Sequence, residues 1–159
     1  MAEAEGEQRL AERVVGGMLE RDAFSQWLGI SVLAIRPRGA TVSMRVRAEM
    51  VNGFGLAHGG VVYSLADSAL AFASNSHGRV TVSVENSITY PLPVHVDDEL
   101  TAVAEEESAS QRLGYYRVTV RRRDGAIVAL FRGTVYKTKN DFFARRPDEA
   151  AQGEGESNR

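Results

Sequence analysis

The sequence predicts an α+β fold in which an antiparallel β-sheet wraps around one central, buried α-helix. The segment at 60–75 is rich in Ala and Leu and contains no Lys, Arg or Glu, so a helix there is apolar on nearly all sides. Two strand-like segments precede this helix and four follow it. The four later segments have no helical segment between them, so they are expected to pair as antiparallel hairpins.

An amphipathic helix is predicted ahead of the sheet, at 7–21. Leu10, Val14 and Met18 recur there every four positions, which is the spacing of one helix face. Residues 1–6 are polar and are expected to be disordered.

The strands are predicted from alternation and from β-branched residues. Val42, Met44 and Val46 alternate with Ser and Arg, which is the period of a half-buried strand. Elsewhere Val, Ile and Thr dominate and turn residues mark the ends. The predicted strands are 30–35, 41–47, 81–90, 99–108, 115–123 and 127–138.

The chain is expected to form one domain with two appendages. Residues 1–22 are the N-terminal helical segment, 23–140 form the sheet-and-helix domain, and 141–159 are a disordered polar tail. Phe24 and Trp27 are expected to fold onto the body of the domain. One sheet and one helix leave strand edges uncovered, so a homo-oligomer is expected.

Composition excludes several functional classes. The 159 residues contain no cysteine, which rules out disulfides, iron–sulfur clusters and a cysteine nucleophile, and three scattered histidines predict no metal site. The formal charge of −2 argues against a nucleic-acid partner. No apolar run approaches the roughly 20 residues that span a bilayer, so no membrane partner is expected. The N-terminus is acidic and unlike a signal peptide, which favours a cytoplasmic location.

Asp67 is the first candidate for chemistry, because it lies in the middle of the apolar helix among small and apolar neighbours. A buried carboxylate is unfavourable unless it is paired or hydrogen-bonded. Burial also raises its pKa, which suits a general base. The alternative is that Asp67 only bonds a nearby amide or hydroxyl.

The second candidate is the run His58-Gly59-Gly60 at the start of the same helix. Glycines at a helix N-terminus leave backbone N–H groups uncovered, where the helix dipole adds partial positive charge. Such a place can stabilise an oxyanion. The alternative is a tight turn that needs glycine for steric reasons and uses the histidine as a hydrogen-bonding turn residue.

The spacing of these candidates predicts a site shared between subunits. Gly59 and Asp67 are eight positions apart, which is about 12 Å along a helix. A base and an oxyanion donor must both lie within roughly 3 Å of the reacting group. Two antiparallel copies of the helix can meet this condition, with Gly59 of one facing Asp67 of the other.

Several segments resemble the hotdog-fold acyl-CoA thioesterases, and most closely their phenylacetate-degradation (PaaI-type) group. Residues 52–60 read Asn-Gly-Phe-Gly-Leu-Ala-His-Gly-Gly, and 63–67 read Tyr-Ser-Leu-Ala-Asp. Residues 82–90 and 129–133 agree with the same family. The resemblance covers about 24–139 and implies hydrolysis of an acyl-CoA by a homo-oligomer, as a dimer or tetramer.

The resemblance also implies roles for individual residues. Asp67 matches the catalytic carboxylate, which either activates water or attacks the thioester. Gly59 matches the N–H that polarises the thioester carbonyl, and Asn52 a side chain lining the site. Ser83 matches a hydroxyl that helps to hold the water. Asn52 could instead only form a turn beside its glycine, and Ser83 could be an ordinary strand serine.

His58 and Gly60 are assigned, with Ser83, to substrate binding. The favoured substrates are phenylacetyl-CoA and hydroxyphenylacetyl-CoA. No cofactor is implied, since coenzyme A is part of the substrate. Two other functions stay open: a non-catalytic acyl-CoA-binding protein, and a dehydratase of the same fold that would use His58 with Asp67.

Overall fold

The computed structural model describes residues 1–144 of the 159-residue chain and has the predicted architecture. A helix rich in Ala and Leu lies against one antiparallel sheet of six strands in this part of the chain. The elements are Ala2–Arg21 (α1), Ala23–Leu28 (α2), Ser31–Arg36 (β1), Gly39–Arg45 (β2), Gly59–Asn75 (α3), Arg79–Thr89 (β3), Glu99–Ala109 (β4), Leu113–Arg122 (β5) and Ile127–Asp141 (β6).

The sheet order is β1-β2-β4-β5-β6-β3, and every neighbouring pair is antiparallel. The last four strands follow one another along the chain, but they are not a simple meander. β3 crosses to the far edge, where β6 is its only partner among the described strands. This crossing places the strand that follows α3 alongside the helix at one edge of the sheet.

The core lies between α3 and the face of the sheet that α3 covers. Side chains from alternate positions of β2, β4, β5 and β6 point at the helix, and they are almost fully buried. Small residues of α3 allow the helix to lie close to the sheet. The sheet also carries a small residue, Gly133, at this contact. A methyl group on Gly133 of β6 would overlap the Leu70 side chain and lie 2.8 Å from Oδ1 of Asn86.

Gly133→Ala is therefore expected to lower the free energy of unfolding by about 1–3 kcal/mol, the usual effect of overpacking a close contact. Urea unfolding at a fixed protein concentration would measure the change. Gly16→Ala is the matched control, because Gly16 lies in α1 with open space around it. That change should raise stability by roughly 0.5–1 kcal/mol. Wild-type stability in Gly133→Ala would contradict the close packing of β6 against α3.

Two expectations about the N-terminal region are wrong. Helix α1 begins at Ala2 rather than at residue 7, because Glu3 and Glu5 lie in its first turn, where acidic side chains favour the helix dipole. Phe24 and Trp27 do not fold into the body, since both side chains are more than half exposed. They stack on each other, and the Arg47 guanidinium lies 5.3 Å from the Trp27 ring centroid.

The predicted polar tail at 141–159 lies outside the described residues from 145 onward. Its first residue, Asp141, ends β6. None of the helices within residues 1–144 is both long enough and apolar enough to cross a membrane.

Candidate active site

Asp67 lies in the middle of α3, on the side of the helix that faces β3. It is half-buried, and its helix neighbours Ala66 and Ser68 are buried. Desolvation raises the pKa of Asp67, and a hydrogen bond from Asn86 opposes this effect. A half-buried carboxylate with a raised pKa is suited to accept a proton from water or another weak acid.

The Asn86 side chain connects Asp67 to two other side chains. Its amide nitrogen donates one hydrogen bond to Asp67 Oδ1 at 3.1 Å and another to the Tyr63 hydroxyl at 2.9 Å. Its amide oxygen accepts a hydrogen bond from Ser83 Oγ at 2.8 Å. Ser83 therefore reaches Asp67 through Asn86, and the structure shows no direct bond between Ser83 and the carboxylate.

An irregularity in β3 brings Ser83 and Asn86 together. Ser83 lies opposite Val135 of β6 and Glu85 opposite Thr134, so Val84 is an extra residue, a β-bulge. In a regular strand, residues three apart point to opposite faces. The bulge changes this parity, so that the Ser83 side chain reaches that of Asn86.

Sequence reasoning assigned no role to Asn86, although the resemblance included its segment. One signal was present. Val82, Val84 and Ile88 alternate along β3, and Asn86 is a polar residue where this alternation expects an apolar one. A polar side chain at such a position needs hydrogen-bond partners, which marks it as a candidate site residue.

The N-terminus of α3 carries the second group of predicted residues. His58 is the helix cap, and its Nδ1 accepts a hydrogen bond from the Gly60 N–H at 2.9 Å. The Gly59 carbonyl accepts a hydrogen bond from the Tyr90 hydroxyl at 2.8 Å. Within residues 1–144 the Gly59 N–H has no acceptor, so it is free to bind one from a ligand, whereas the Gly60 N–H is already engaged.

A cleft of about 240 Å³ lies beside this helix end. Asn52 and Gly59 both line it, together with the segment from Tyr90 to Val94. The Asn52 amide oxygen accepts hydrogen bonds from the N–H groups of Phe54 and Leu56, so this side chain shapes its own loop as well as lining the cleft. Asp67 does not line this cleft. Within one chain, Asn52 and Gly59 form one group at the cleft, and Ser83 and Asp67 form a second group, joined by Asn86, away from it.

Ser68, next to Asp67, attaches α3 to α2. Its hydroxyl forms a 2.9 Å hydrogen bond with Ser25 Oγ, and Ser25 Oγ donates to Asp22 Oδ2 at 2.6 Å. The Asp22 carboxylate also accepts from the Ser25 N–H, which caps α2. The two serines are buried, so this chain of hydrogen bonds joins α3 to α2 inside the protein.

No group of His, Asp or Glu side chains within residues 1–144 is arranged to hold a metal ion. The chemistry available at the two groups is that of a carboxylate base or nucleophile and a free backbone N–H donor. A carboxylate next to a carbonyl held by an N–H donor is a suitable arrangement for acyl transfer to water.

Comparisons with known proteins agree with this chemistry. Residues 54–129 match the Thioesterase superfamily. The acyl-coenzyme A thioesterase PaaI of Escherichia coli is 37% identical over 120 residues, which cover 76% of this chain and 86% of that protein. The structure of E. coli PaaI, from the phenylacetic acid degradation operon, superimposes with a TM-score of 0.83 over 84% of this chain and 97% of that one, at 34% identity.

Two further solved structures are similar. A variant of the phenylacetic acid degradation protein PaaI from Thermus thermophilus is 41% identical, with a TM-score of 0.71 over 74% of this chain and all of that one. A thioesterase from Streptococcus pneumoniae, solved with coenzyme A, is 25% identical, with a TM-score of 0.71 over 75% of this chain and 93% of that one. The chain therefore belongs to the thioesterase superfamily and, within it, to the hotdog-fold acyl-CoA thioesterases of the PaaI type.

Proposed function

We propose that this thioesterase hydrolyses arylacetyl thioesters of coenzyme A, with phenylacetyl-CoA or hydroxyphenylacetyl-CoA as the preferred substrate. The observation that carries the hydrolytic step is Asp67, a half-buried carboxylate on an apolar helix whose pKa is raised by desolvation, and the acyl group is proposed from the similarity to PaaI. A protein that only binds acyl-CoA has no need of this group. The proposed reaction requires no cofactor, since coenzyme A is part of the substrate.

In the proposed reaction, Asp67 takes a proton from water while the water oxygen attacks the thioester carbonyl carbon. The Gly59 N–H donates to the carbonyl oxygen as it gains negative charge. The C–S bond then breaks, and the thiolate of coenzyme A takes up the proton, leaving the free carboxylic acid. A direct attack by Asp67 would form a mixed anhydride that water then hydrolyses, with the same products.

The proposed site is shared between two copies of the chain. Gly59 and Asp67 are separated by about 12 Å along α3, and Asp67 lies outside the cleft that Gly59 lines. A second, antiparallel copy of α3 would place the Asp67 of one chain near the Gly59 of the other. The free edge of β3 is suited to this contact, because it pairs with β6 on one side only and carries exposed Val82 and Val84.

We expect light scattering at micromolar concentration to detect a dimer or tetramer and no stable monomer. Val82→Lys should shift the protein towards monomers, because a charge on a paired edge strand disfavours pairing. Leu33→Lys is the matched control: Leu33 is similarly exposed, but it lies on β1 at the opposite edge of the sheet. A monodisperse, active monomer would contradict both the assembly and the shared site.

The Tyr63 ring supports an aryl substrate, because it is half-buried near Asp67, whereas its neighbour Phe131 is fully buried in the core. Tyr63 lies one helical turn before Asp67 and contacts Phe131 edge to face, with ring centroids 5.4 Å apart. Aromatic rings favour such offset and edge-to-face contacts with one another. The similarity to PaaI of E. coli supports the same class of acyl group.

A panel of acyl-CoA substrates, followed by release of free thiol, tests the proposal. It would compare phenylacetyl-, hydroxyphenylacetyl-, benzoyl-, hexanoyl- and acetyl-CoA, with and without EDTA. We expect the highest kcat/KM with the arylacetyl thioesters and no effect of EDTA. A preference for the straight-chain substrates would overturn the arylacetyl assignment and leave the hydrolase activity in place.

A dehydratase that pairs His58 with Asp67 is less well supported. The Nδ1 atom of His58 is occupied by the Gly60 N–H, so this ring caps its own helix. Within one chain, His58 is nine positions before Asp67, so this pair, like Gly59 and Asp67, would need two chains to act on one substrate.

A further inference from the structure

We propose that Asn86 is a positioning residue for Asp67: its amide holds the carboxylate in place, and Ser83 fixes the orientation of that amide. The inference rests on the proposed function of Asp67 and adds two side chains that act through it. Asn86 does not need to contact the substrate in order to have this role.

The hydrogen bonds of the Asn86 amide are complete in only one orientation. An ionised carboxylate can only accept hydrogen bonds, so the NH₂ group must face Asp67. That group has two hydrogens, and it has two acceptors, Asp67 Oδ1 and the Tyr63 hydroxyl. The remaining oxygen accepts from Ser83 Oγ. A flipped amide would place its oxygen against the carboxylate, and the Ser83 hydroxyl disfavours that flip.

The backbone around Asn86 holds the side chain firmly. Asn86 pairs with Gly133 of β6, and a side chain at 133 would press on the Asn86 amide oxygen. The bulge at Val84 brings the Ser83 hydroxyl to the same oxygen. The amide is therefore placed by the strand register, by a glycine and by a hydroxyl, each independent of Asp67 itself.

Few other groups act on Asp67. Desolvation raises its pKa, and the hydrogen bond from Asn86 is the counteracting influence. No charged side chain of α3, β3, β6 or any other described element shifts it. Tyr63, on the same helix, is the titratable group that shares the Asn86 amide with it. Loss of Asn86 should therefore raise the pKa of Asp67 further, because a donor to the ionised form has been removed.

Asn86→Leu tests the proposal, since leucine has a similar shape and no hydrogen-bonding groups. We expect the acidic limb of the kcat–pH profile to move to higher pH, because the base must lose its proton to act. The plateau of kcat should also fall by roughly tenfold or more, as expected when a reacting group loses its alignment. KM should change little. Ser83→Ala should produce a smaller change in the same direction.

Two variants serve as controls. Ser87→Ala repeats the serine change at an exposed position of β3, and Asn140→Leu repeats the asparagine change at an exposed position of β6. Neither side chain contacts Asp67, so both variants should keep the wild-type profile. A wild-type acidic limb and kcat in folded Asn86→Leu would overturn the proposal. Equal effects of Asn86→Leu and Asn140→Leu would also overturn it.

A direct titration separates this proposal from the proposed function. The carboxyl ¹³C shift of Asp67, identified by its absence in Asp67→Asn, reports the pKa without any substrate. The pKa of Asp67 should be higher in Asn86→Leu than in the wild type, even if the protein hydrolyses none of the thioesters tested. Asn86→Asp gives a second, nearly isosteric variant, in which a neighbouring carboxylate should raise the pKa further still. An unchanged Asp67 titration in both variants would overturn the proposal, whatever the activity of the wild type.

Discussion

Asp67→Asn is expected to lower turnover of acyl-CoA by at least about a hundredfold, the scale of losing a general base. Asparagine keeps the shape of the side chain and can still bond to Asn86 through its own oxygen. It cannot accept a proton from water or form an anhydride. The measurement is free-thiol release from the best substrate of the panel, at saturating concentration and at a pH where wild-type Asp67 is ionised.

The same variant should be at least as stable as the wild type at neutral pH. Burial raises the pKa of Asp67 in the folded protein, so the folded state binds this proton more tightly than the unfolded state does. The contribution of Asp67 to the free energy of unfolding is therefore fully present at pH values below the pKa that this carboxyl has in the unfolded state. That contribution is lost as pH rises through the raised pKa of the folded state. Thermal unfolding from about pH 3 to 8 should show this divergence from the asparagine variant.

These two measurements check each other. A variant that is folded, oligomeric, stable and inactive has lost a chemical group rather than its structure. Near wild-type turnover in such a variant would remove Asp67 from the mechanism. Inactivity with loss of the folded state would leave the role of Asp67 to be tested by the Asn86 variants.

A mixed oligomer of two damaged chains is expected to regain about half of the wild-type activity per dimer. One chain carries Asp67→Asn and the other carries Gly59→Val, and each homo-oligomer alone should be nearly inactive. If each site draws Gly59 from one chain and Asp67 from the other, one site of the mixed dimer receives both changes. The second site receives neither and remains complete. Co-expression with two different tags would isolate the mixed species for the thiol-release assay.

The Gly59 change acts through contact with one side chain. A Cβ at this position would lie 3.3 Å from the Tyr90 ring, which is close enough to displace that ring or the backbone carbonyl it binds. Circular dichroism of Gly59→Val must match the wild type, and Gly59→Ala gives a milder variant of the same type. A well-folded mixed dimer without activity would mean that both residues serve a site within one chain, or that one of them has no role.

Much of the fold could be predicted because its signals are local. The apolar character of α3 and the alternation at 41–47 each come from residues close together in the sequence. The position of β3 at the sheet edge beside β6 is a long-range property, and no local pattern indicates it. The exposed stacking of Phe24 on Trp27 was missed for another reason: large apolar residues are usually buried, and only the tertiary structure shows otherwise.

Among the residues of the candidate site, too, those with a local sequence signal could be predicted and the others could not. Asp67 could be found because a carboxylate in an apolar helix is unfavourable unless it has partners. The capping role of His58 follows from its place before a helix, and the loop bonds of Asn52 follow from its place before Gly53. Asn86 could not be placed, because its direction depends on a bulge at Val84. A change of one residue in strand register reverses every side chain beyond it.

The crossing of β3 to the edge beside β6 affects the order in which the molecule can fold. β3 has no backbone partner until β6 has been synthesised, and β4 and β5 lie between them in the chain. Asn86 therefore cannot acquire its strand partner Gly133 before β6 has been made. Such distant pairings fold slowly, in milliseconds to seconds, and leave apolar surface exposed meanwhile. Stopped-flow refolding should show Tyr63 and its neighbours becoming buried in the slowest phase, and a newly made chain should complete its site only after β6 has been translated.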